Sequence, residues 1–414
     1  MKQARKFSAS GCRFGLLTAA LWGSVANAQV APPPSTVDPD LVSARMAFPS
    51  PPLNVVTFRS FDRLFENEPV LASSQPWLIT SDKRNLAVSY QYDGKTLGLD
   101  DFLKRTYTNA FIVIKDGRIV TERYRNGGDA SSRYAVFSIA KSLVSMLVGI
   151  AIDRGEITSI DDPITRYAPE FTGTAYEGVT LRDALQMRSG VDFNEDGAPF
   201  FNFLETVIAG NQQRCADFIK SAPRKHAPGT TFNYSSPETC VIARVLEKAT
   251  GQRLSKYMER HLWQSAGMEH PGYWVLDGQP GTGTAIANGG FSASARDLAR
   301  VGQLMLDGGV TGKRRILSAD WVARSTATDG EAGKKRSEGY GYQWWTLGEP
   351  EAFAGVGLHG QYLYVVPSQK LVIVKFSYWP TGWDEKLEAE TLAAFRAIGD
   401  AGSNGSEPAT PSAR

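Results

Sequence analysis

The stretch from Ser138 to about Arg154 constrains the fold more than any other part of this sequence. Its apolar residues recur at a spacing that predicts a helix buried on more than one face: Leu143, Val144, Leu147, Val148 and Ile150. A chain of 414 residues with 42% apolar content can bury a core of that size, as one large domain or two interleaved ones. The helix opens with Ser138-Ile-Ala-Lys141, so a hydroxyl and an amine share one face of its first turn.

Strand patterns flank a long helical region. Residues 111–124 predict a hairpin, because Asp116-Gly117 favours a tight turn between two apolar runs. Short helical patterns and turns fill residues from about 155 to 285. Later patterns predict strands at 340–345, 361–366 and 371–378, and helices at 237–250, from 294 and at 384–397. This order predicts an α+β fold in which an antiparallel sheet, flanked by helices, is split around an inserted helical region.

Composition divides the chain into four parts. Residues 1–28 combine a basic start, an apolar stretch and Ala26-Asn27-Ala28, which predicts a signal peptide cleaved near Ala28 and an exported protein, periplasmic or secreted. The alternative is an N-terminal membrane anchor, for which the apolar run is short. Residues 29–100 read as a Pro-rich linker, extended to about residue 55, with an N-terminal extension. Residues 101–398 form the predicted catalytic domain and 399–414 a disordered tail.

Charge and cysteine content exclude several classes of function. The formal net charge is +2, and loss of the four basic residues in the first 28 would leave −2, which gives no electrostatic basis for binding nucleic acid. Three Cys and four His without a close pair predict no metal site and no cofactor. No later segment is apolar enough to predict a membrane span. Cys215 and Cys240 would remain after cleavage, either as a disulfide or as two buried thiols. Nothing in the sequence indicates an oligomeric state.

The Ser138 and Lys141 pair predicts a nucleophile with its base. A serine hydroxyl is a weak nucleophile until a base takes its proton, and burial at a helix N-terminus favours the neutral lysine that can do so. Tyr234, in a loop before the helix at residue 237, is a candidate second proton carrier. Each of these residues has a common structural alternative, since a Ser-x-x-Lys pattern arises by chance and most tyrosines pack in cores.

The glycine-rich stretch Gly355-Val-Gly-Leu-His-Gly360 matches the sequence pattern of the dinucleotide-binding fingerprint but not its structural context. It leads into a strand, whereas that fingerprint opens a helix. Glycines at a strand edge instead allow a backbone N–H to approach a substrate closely. The Gly-x-Ser-x-Gly elbow of α/β-hydrolases is absent from the chain.

The order Ser138-x-x-Lys141, Tyr234-Ser-Ser236 and a late glycine-rich strand resembles the serine β-lactamase and penicillin-binding superfamily, class C type. Six further segments resemble its 6-aminohexanoate-dimer (nylon oligomer) hydrolases: 106–111, 287–290, 295–301, 305–309, 357–361 and 372–375. The resemblance implies a β-lactamase/transpeptidase-like fold and an acyl-enzyme on Ser138, with Lys141 and Tyr234 carrying protons. It also implies an oxyanion hole formed by the N–H groups of Ser138 and Leu358, and substrate contacts from Asn288 and His359.

Three departures narrow the expected substrate. Penicillin-recognising members carry a lysine on the late strand, but the aligned residues here are Gly355-Val-Gly357, or His359-Gly-Gln361 in another register. They also favour Tyr-x-Asn, where this chain has Ser236. In nylon oligomer hydrolases, an Asn-Glu-Asp stretch is followed by a tyrosine that contributes to amide turnover. In this chain the same stretch, which ends at Asp196, is followed by Gly197. We therefore expect a serine hydrolase for small linear amides or esters. The alternatives are a carboxylesterase or D-amino-acid peptidase of the same superfamily, or a penicillin-binding-like module without turnover.

Overall fold

The computed structural model describes residues 37–82, 88–312, 314–328, 339–348 and 351–401. The predicted signal peptide and residues 402–414 of the predicted tail lie outside these ranges. The helices are α1 (Pro39–Ala47), α2 (Asn54–Thr57), α3 (Phe61–Leu64), α4 (Leu99–Arg105), α5 (Ile139–Asp153), α6 (Ile164–Tyr167), α7 (Leu181–Leu185), α8 (Ala198–Phe203), α9 (Cys215–Phe218), α10 (Ser236–Thr250), α11 (Leu254–Met258), α12 (Ala295–Leu306), α13 (Ala319–Ser325) and α14 (Glu385–Ala401).

The strands form two larger antiparallel sheets and two small hairpins. They are β1 (Asn67–Val70), β2 (Ser89–Tyr92), β3 (Lys95–Gly98), β4 (Thr108–Lys115), β5 (Arg118–Tyr124), β6 (Arg133–Ala135), β7 (Gly272–Val275), β8 (Phe291–Ser294), β9 (Val310–Thr311), β10 (Arg314–Arg315), β11 (Gly339–Tyr340), β12 (Trp345–Leu347), β13 (Ala352–Gly357), β14 (Gln361–Val366) and β15 (Leu371–Ser377). The main sheet has the order β11-β12-β13-β14-β15-β4-β5, and a second sheet has the order β1-β7-β8-β6.

The β4–β5 hairpin confirms the turn prediction and shows how the main sheet is packed. Asp116 and Gly117 both have positive φ, 49° and 71°, as a tight two-residue turn requires. Ile112 and Ile114 belong to the core that contains α5 and α12. The alternate residues of β4, Phe111 and Val113, point to the opposite face and belong to a separate core with α4 and α14. Helices therefore cover both faces of the sheet, as the predicted α+β fold requires.

The helical insertion is confirmed. Helices α6 to α11 lie between β6 and β7 in the chain, so the strands of the second sheet come from before and after the insertion. α5 ends one residue before the predicted boundary at Arg154, and α12 begins at the predicted Ser294 cap, whose side chain accepts from the Asp297 N–H. Among the residues described, none of the helices combines the length and apolar composition that a membrane crossing needs.

Three local predictions are wrong. The predicted extended linker is helical from Pro39, because proline suits the first turn of a helix and Asp38 caps it by accepting from the Asp40 N–H at 2.8 Å. The single strand predicted at 340–345 is two short strands, β11 and β12, joined by a turn in which Gln343 has a φ of 61°. The predicted tail begins too early, since α14 continues through Gly399 to Ala401.

Cys215 and Cys240 form a disulfide that joins the first residue of α9 to the second turn of α10. Both residues are buried. The sequence left open whether they would pair, and the structure shows them bonded across a separation of 25 residues. The bond therefore anchors, from within the helical insertion, the helix that begins at Ser236.

We expect reduction of this disulfide to lower the free energy of unfolding by about 3 kcal/mol, because a closed loop of this length restricts the unfolded chain. The measurement is urea unfolding with and without dithiothreitol. A Cys215→Ala/Cys240→Ala variant is the control, since its unfolding curve should not respond to the reductant. An equal response of both proteins would contradict a stabilising disulfide.

Candidate active site

Ser138 lies at the N-terminus of α5, in a tightly held turn after β6. The N–H groups of Ala135 and Val136 donate to the carbonyls of Phe58 and Phe291, at 2.8 and 2.9 Å. Phe137 then adopts a φ of 47°, a conformation that costs energy for a residue with a side chain and turns the chain into the helix. Ser138 is half-buried, whereas the residues that follow it on α5 are buried. The turn thus presents one hydroxyl at the edge of the core.

Lys141 is buried one turn along α5, with its amine directed at Ser138. Its Nζ lies 2.9 Å from Ser138 Oγ, 3.2 Å from Ser236 Oγ and 3.0 Å from the Asn288 carbonyl oxygen. The side chain is only 1% exposed. Burial lowers the pKa of Lys141 to about 8, against the opposing effect of the Glu195 carboxylate. A substantial share of the amine is therefore neutral near pH 8 and able to accept the Ser138 proton.

Tyr234 lies beside both residues, in the loop that leads into α10. Its ring centroid is 4.9 Å from Lys141 Nζ, and its hydroxyl is close enough to Ser138 for that side chain to influence the pKa of Tyr234. Burial and the nearby Glu195 charge raise the pKa of the Tyr234 hydroxyl, and the influence of Ser138 partly offsets this rise. Tyr234 is therefore protonated at neutral pH and can donate a proton near Ser138 Oγ.

Glu195 is a fourth polar group of this site, which the sequence did not reveal. Its carboxylate accepts from the Ser236 N–H at 3.0 Å and from the Ser236 hydroxyl in a short hydrogen bond. Burial raises the pKa of Glu195, while the charge of Lys141 lowers it. The Asn194-Glu-Asp196 stretch was the available signal, but nothing in it distinguishes Glu195 from the exposed Asp196.

The glycines of β13 allow that strand to lie directly against the start of α5. A Cβ on Gly357 would lie 2.6 Å from the Val136 carbonyl oxygen, and one on Gly355 would lie 3.0 Å from Ile139 Cγ2. Gly355-Val-Gly357 is therefore the stretch that lies against the start of α5, and His359-Gly-Gln361 lies in the connection that follows it. The next residue is Leu358. Within the described residues, the N–H groups of Ser138 and Leu358 have no hydrogen-bond acceptor, as an oxyanion hole requires.

Asn288 and His359 are engaged differently from the predicted substrate contacts. Asn288 contributes its carbonyl to Lys141, and its side-chain Oδ1 faces the disulfide, 3.6 and 3.5 Å from the sulfurs of Cys215 and Cys240. The His359 ring packs against Phe58 and Phe137, and its Nδ1 lies 2.9 Å from the Trp379 carbonyl oxygen. Burial lowers the pKa of His359. Their roles toward substrate remain predictions, since the contacts observed are structural.

An aromatic group borders Tyr234 on another side. Trp345 stacks on the Tyr234 ring with centroids 5.7 Å apart, and Tyr340 meets the same ring edge-on at 6.1 Å. Phe232, which is 39% exposed, packs against Tyr340. No cluster of three or more potential metal-binding side chains occurs in the part of the chain that the structure describes. The reactive groups of the site are thus a serine, a lysine, a tyrosine and a carboxylate.

The beta-lactamase family model matches residues 100–397, which include every one of these reactive groups. The chain belongs to the beta-lactamase family. It is 36% identical over 299 residues to a 6-aminohexanoate-dimer hydrolase from Paenarthrobacter ureafaciens, a match that covers 68% of this chain and 75% of that protein. It is also 28% identical over 182 residues to the esterase EstB from Burkholderia gladioli, covering 39% and 46% of the two chains.

A solved structure supports the same fold. A Bacillus anthracis protein provisionally assigned as a 6-aminohexanoate-dimer hydrolase superposes with a TM-score of 0.77 at 24% identity, over 85% of this chain and 95% of that one. The protein is therefore a serine hydrolase of the beta-lactamase family, acting on amide or ester bonds, with a β-lactamase/transpeptidase-like fold.

The lowered pKa of Lys141 predicts the pH dependence of this hydrolase. A base must be neutral to act, so kcat/KM should fall about tenfold per pH unit on the acid side of pH 8. Because the Glu195 carboxylate raises the pKa of Lys141, Glu195→Gln should lower that pKa and move the acid limb to lower pH. Rate profiles of both proteins measure the shift. Asp196→Asn removes the neighbouring exposed carboxylate as a control, and an acid limb that stays in place in Glu195→Gln would contradict the coupling.

Proposed function

We propose that the protein cleaves small linear esters and amides through an acyl-enzyme on Ser138. The observation that carries the proposal is the 2.9 Å contact between Ser138 Oγ and the buried Lys141 Nζ, with the Tyr234 ring 4.9 Å from the same amine. A nucleophile, a base of lowered pKa and a protonated acid thus lie side by side.

The steps follow from these positions. Neutral Lys141 takes the Ser138 proton as Oγ attacks the substrate carbonyl carbon, and the N–H groups of Ser138 and Leu358 stabilise the oxyanion that forms. The bond to the leaving group breaks as Tyr234 donates its proton to that group and is reprotonated from Lys141. Water then attacks the acyl-enzyme, gives up its proton through the same groups, and releases the acid and free Ser138.

The surroundings of Ser138 favour simple esters over the nylon dimer. Gly197 supplies no side chain where the nylon hydrolases carry a tyrosine, and a Cβ there would lie 2.6 Å from Asn194 Nδ2. The relatives include both a 6-aminohexanoate-dimer hydrolase and an esterase, so both bond types occur among proteins similar to this chain. Esters need less assistance to the leaving group than amides do, so an incomplete amide site can still turn them over.

Penicillin-like substrates fit the site less well. In the register that we favour, Gly355 stands where penicillin-recognising members carry the lysine that holds the substrate carboxylate. A Cβ there would lie 3.0 Å from Ile139 Cγ2, so a longer residue would require that side chain to shift. A binding module without turnover has no need for Ser138, Lys141 and Tyr234 together.

We further propose that the protein acts outside the cytoplasm, after cleavage near Ala28. The basic start, apolar stretch and Ala26-Asn27-Ala28 support export. The Cys215–Cys240 disulfide adds support, because such bonds persist in oxidising compartments. Amino-terminal sequencing of the protein from a culture supernatant or periplasmic extract tests this, with a mature start near Gln29 expected.

A fluorophosphonate probe should label the wild-type protein, and Ser138→Ala should abolish both labelling and ester hydrolysis, since the probe bonds only to an activated serine. Ser142→Ala is the matched control, because its hydroxyl lies on the same helix but donates to the Gln343 carbonyl at 2.7 Å. Labelling that persists in Ser138→Ala would refute the assignment of the nucleophile.

A substrate panel ranks the remaining possibilities. We expect nitrophenyl esters of short acids to have the highest kcat/KM, 6-aminohexanoate dimer a lower one, and nitrocefin the lowest, with each activity lost in Ser138→Ala. Rapid nitrocefin turnover would show that Gly355 does not exclude β-lactams.

A further inference from the structure

The second donor of the oxyanion hole lies on a short turn whose position needs an explanation. β13 ends at Gly357 and β14 begins at Gln361, so Leu358, His359 and Gly360 form the connection. His359 and Gly360 both have positive φ, 60° and 82°. An oxyanion donor contributes only when its N–H is directed at the developing charge, so small rotations of this turn would reduce its effect.

The side chain of Gln361 connects this turn to the sheet. Its Nε2 donates to the carbonyl oxygens of Leu358 at 3.1 Å, His359 at 3.0 Å and Ser377 at 2.9 Å. Its Oε1 accepts from the Ser377 N–H at 3.0 Å. The residue is 2% exposed. One buried amide thus holds two consecutive carbonyls of the turn and both backbone groups of a residue on β15.

Only an amide of this length and orientation satisfies all of these groups. Rotating the amide by half a turn would place Oε1 among three carbonyl oxygens and Nε2 against an N–H, so the network fixes which atom is which. A glutamate carboxylate would likewise face three carbonyl oxygens, and an apolar side chain would leave the Leu358 carbonyl without its donor.

We propose that Gln361 is a positioning residue that orients the Leu358 N–H for oxyanion stabilisation, an inference that rests on the proposed function. The peptides that Gln361 holds directly follow the Leu358 N–H in the chain, so its amide limits rotation about Leu358. His359 is also held by other contacts: its N–H donates to the Gly382 carbonyl at 2.8 Å, and its carbonyl accepts from the Trp379 N–H at 3.3 Å. The Leu358 carbonyl has no such second contact among the described residues, so its orientation depends on Gln361. Gln361 never contacts the substrate in this scheme and acts through Leu358.

Gln361→Met keeps the length of the side chain and removes its polar contacts. We expect kcat for a nitrophenyl ester to fall on the order of 10- to 100-fold, with KM changed by less than about twofold, because the oxyanion donor acts in the transition state. The rate of fluorophosphonate labelling should fall in parallel, and the acid limb of the pH profile should stay in place because Lys141 is untouched. Gln361→Asn, whose amide is one methylene shorter, should retain part of the activity.

Gln303→Met is the matched control. Gln303 is also a buried glutamine, on α12, and its amide donates to Asp307 at 2.9 Å without contact to the turn. Gln303→Met should lower the urea midpoint of unfolding about as much as Gln361→Met does, while its kcat stays within about twofold of the wild-type value.

The proposal is overturned if Gln361→Met lowers kcat no more than Gln303→Met does, or if KM rises while kcat stays constant. Should the Met variant not fold, the Asn variant decides by the same comparison of kcat with KM. Ester hydrolysis that survives Ser138→Ala would instead refute the proposed function, so the two failures are distinguishable.

Discussion

The site depends on keeping the Lys141 amine inside the protein. Removing a charged amine from water is costly, so burial favours the neutral form that a base requires. A buried amine also needs hydrogen-bond partners, and Nζ has three, from Ser138, Ser236 and Asn288. They belong to the start of α5, the start of α10 and the turn before β8. The helical insertion and the second sheet must therefore both be folded before the Lys141 amine has all three hydrogen bonds. The chemistry of the site thus depends on the complete fold.

A second constraint is the close approach of β13 to α5. A Cβ on Gly357 would lie 2.6 Å from the Val136 carbonyl oxygen, and one on Gly355 would lie 3.0 Å from Ile139 Cγ2, so both glycines allow a close approach. Leu358, the proposed oxyanion donor, therefore directly follows a glycine that lies against the turn before Ser138. A larger side chain at position 355 would require Ile139 to shift. The proposed donor and the two glycines before it thus belong to one closely packed segment.

Several features governed by near neighbours in sequence could be predicted, whereas features governed by distant contacts could not, and one local feature was predicted wrongly. The turn at Asp116-Gly117 and the apolar spacing of α5 depend on adjacent residues, and both were predicted. The Asn288 carbonyl bonds to Lys141 across 147 positions, and a backbone oxygen has no residue type to reveal it. Glu195 meets Ser236 across 41 positions, beside an equally acidic Asp196. Proline content suggested an extended linker, whereas Pro39 begins a helix because its missing N–H costs nothing there.

The Tyr-x-Ser departure at residue 236 is matched by Glu195. An asparagine side chain offers both donors and an acceptor, whereas a serine hydroxyl has a single hydrogen to donate. Here that hydrogen goes to Glu195, so the oxygen lone pairs of Ser236 remain directed at Lys141 Nζ, 3.2 Å away. The carboxylate therefore acts on the amine through a hydroxyl as well as through space, and it limits how far burial can lower the pKa of Lys141. The acyl-transfer chemistry can thus persist without the amide that penicillin-recognising relatives favour.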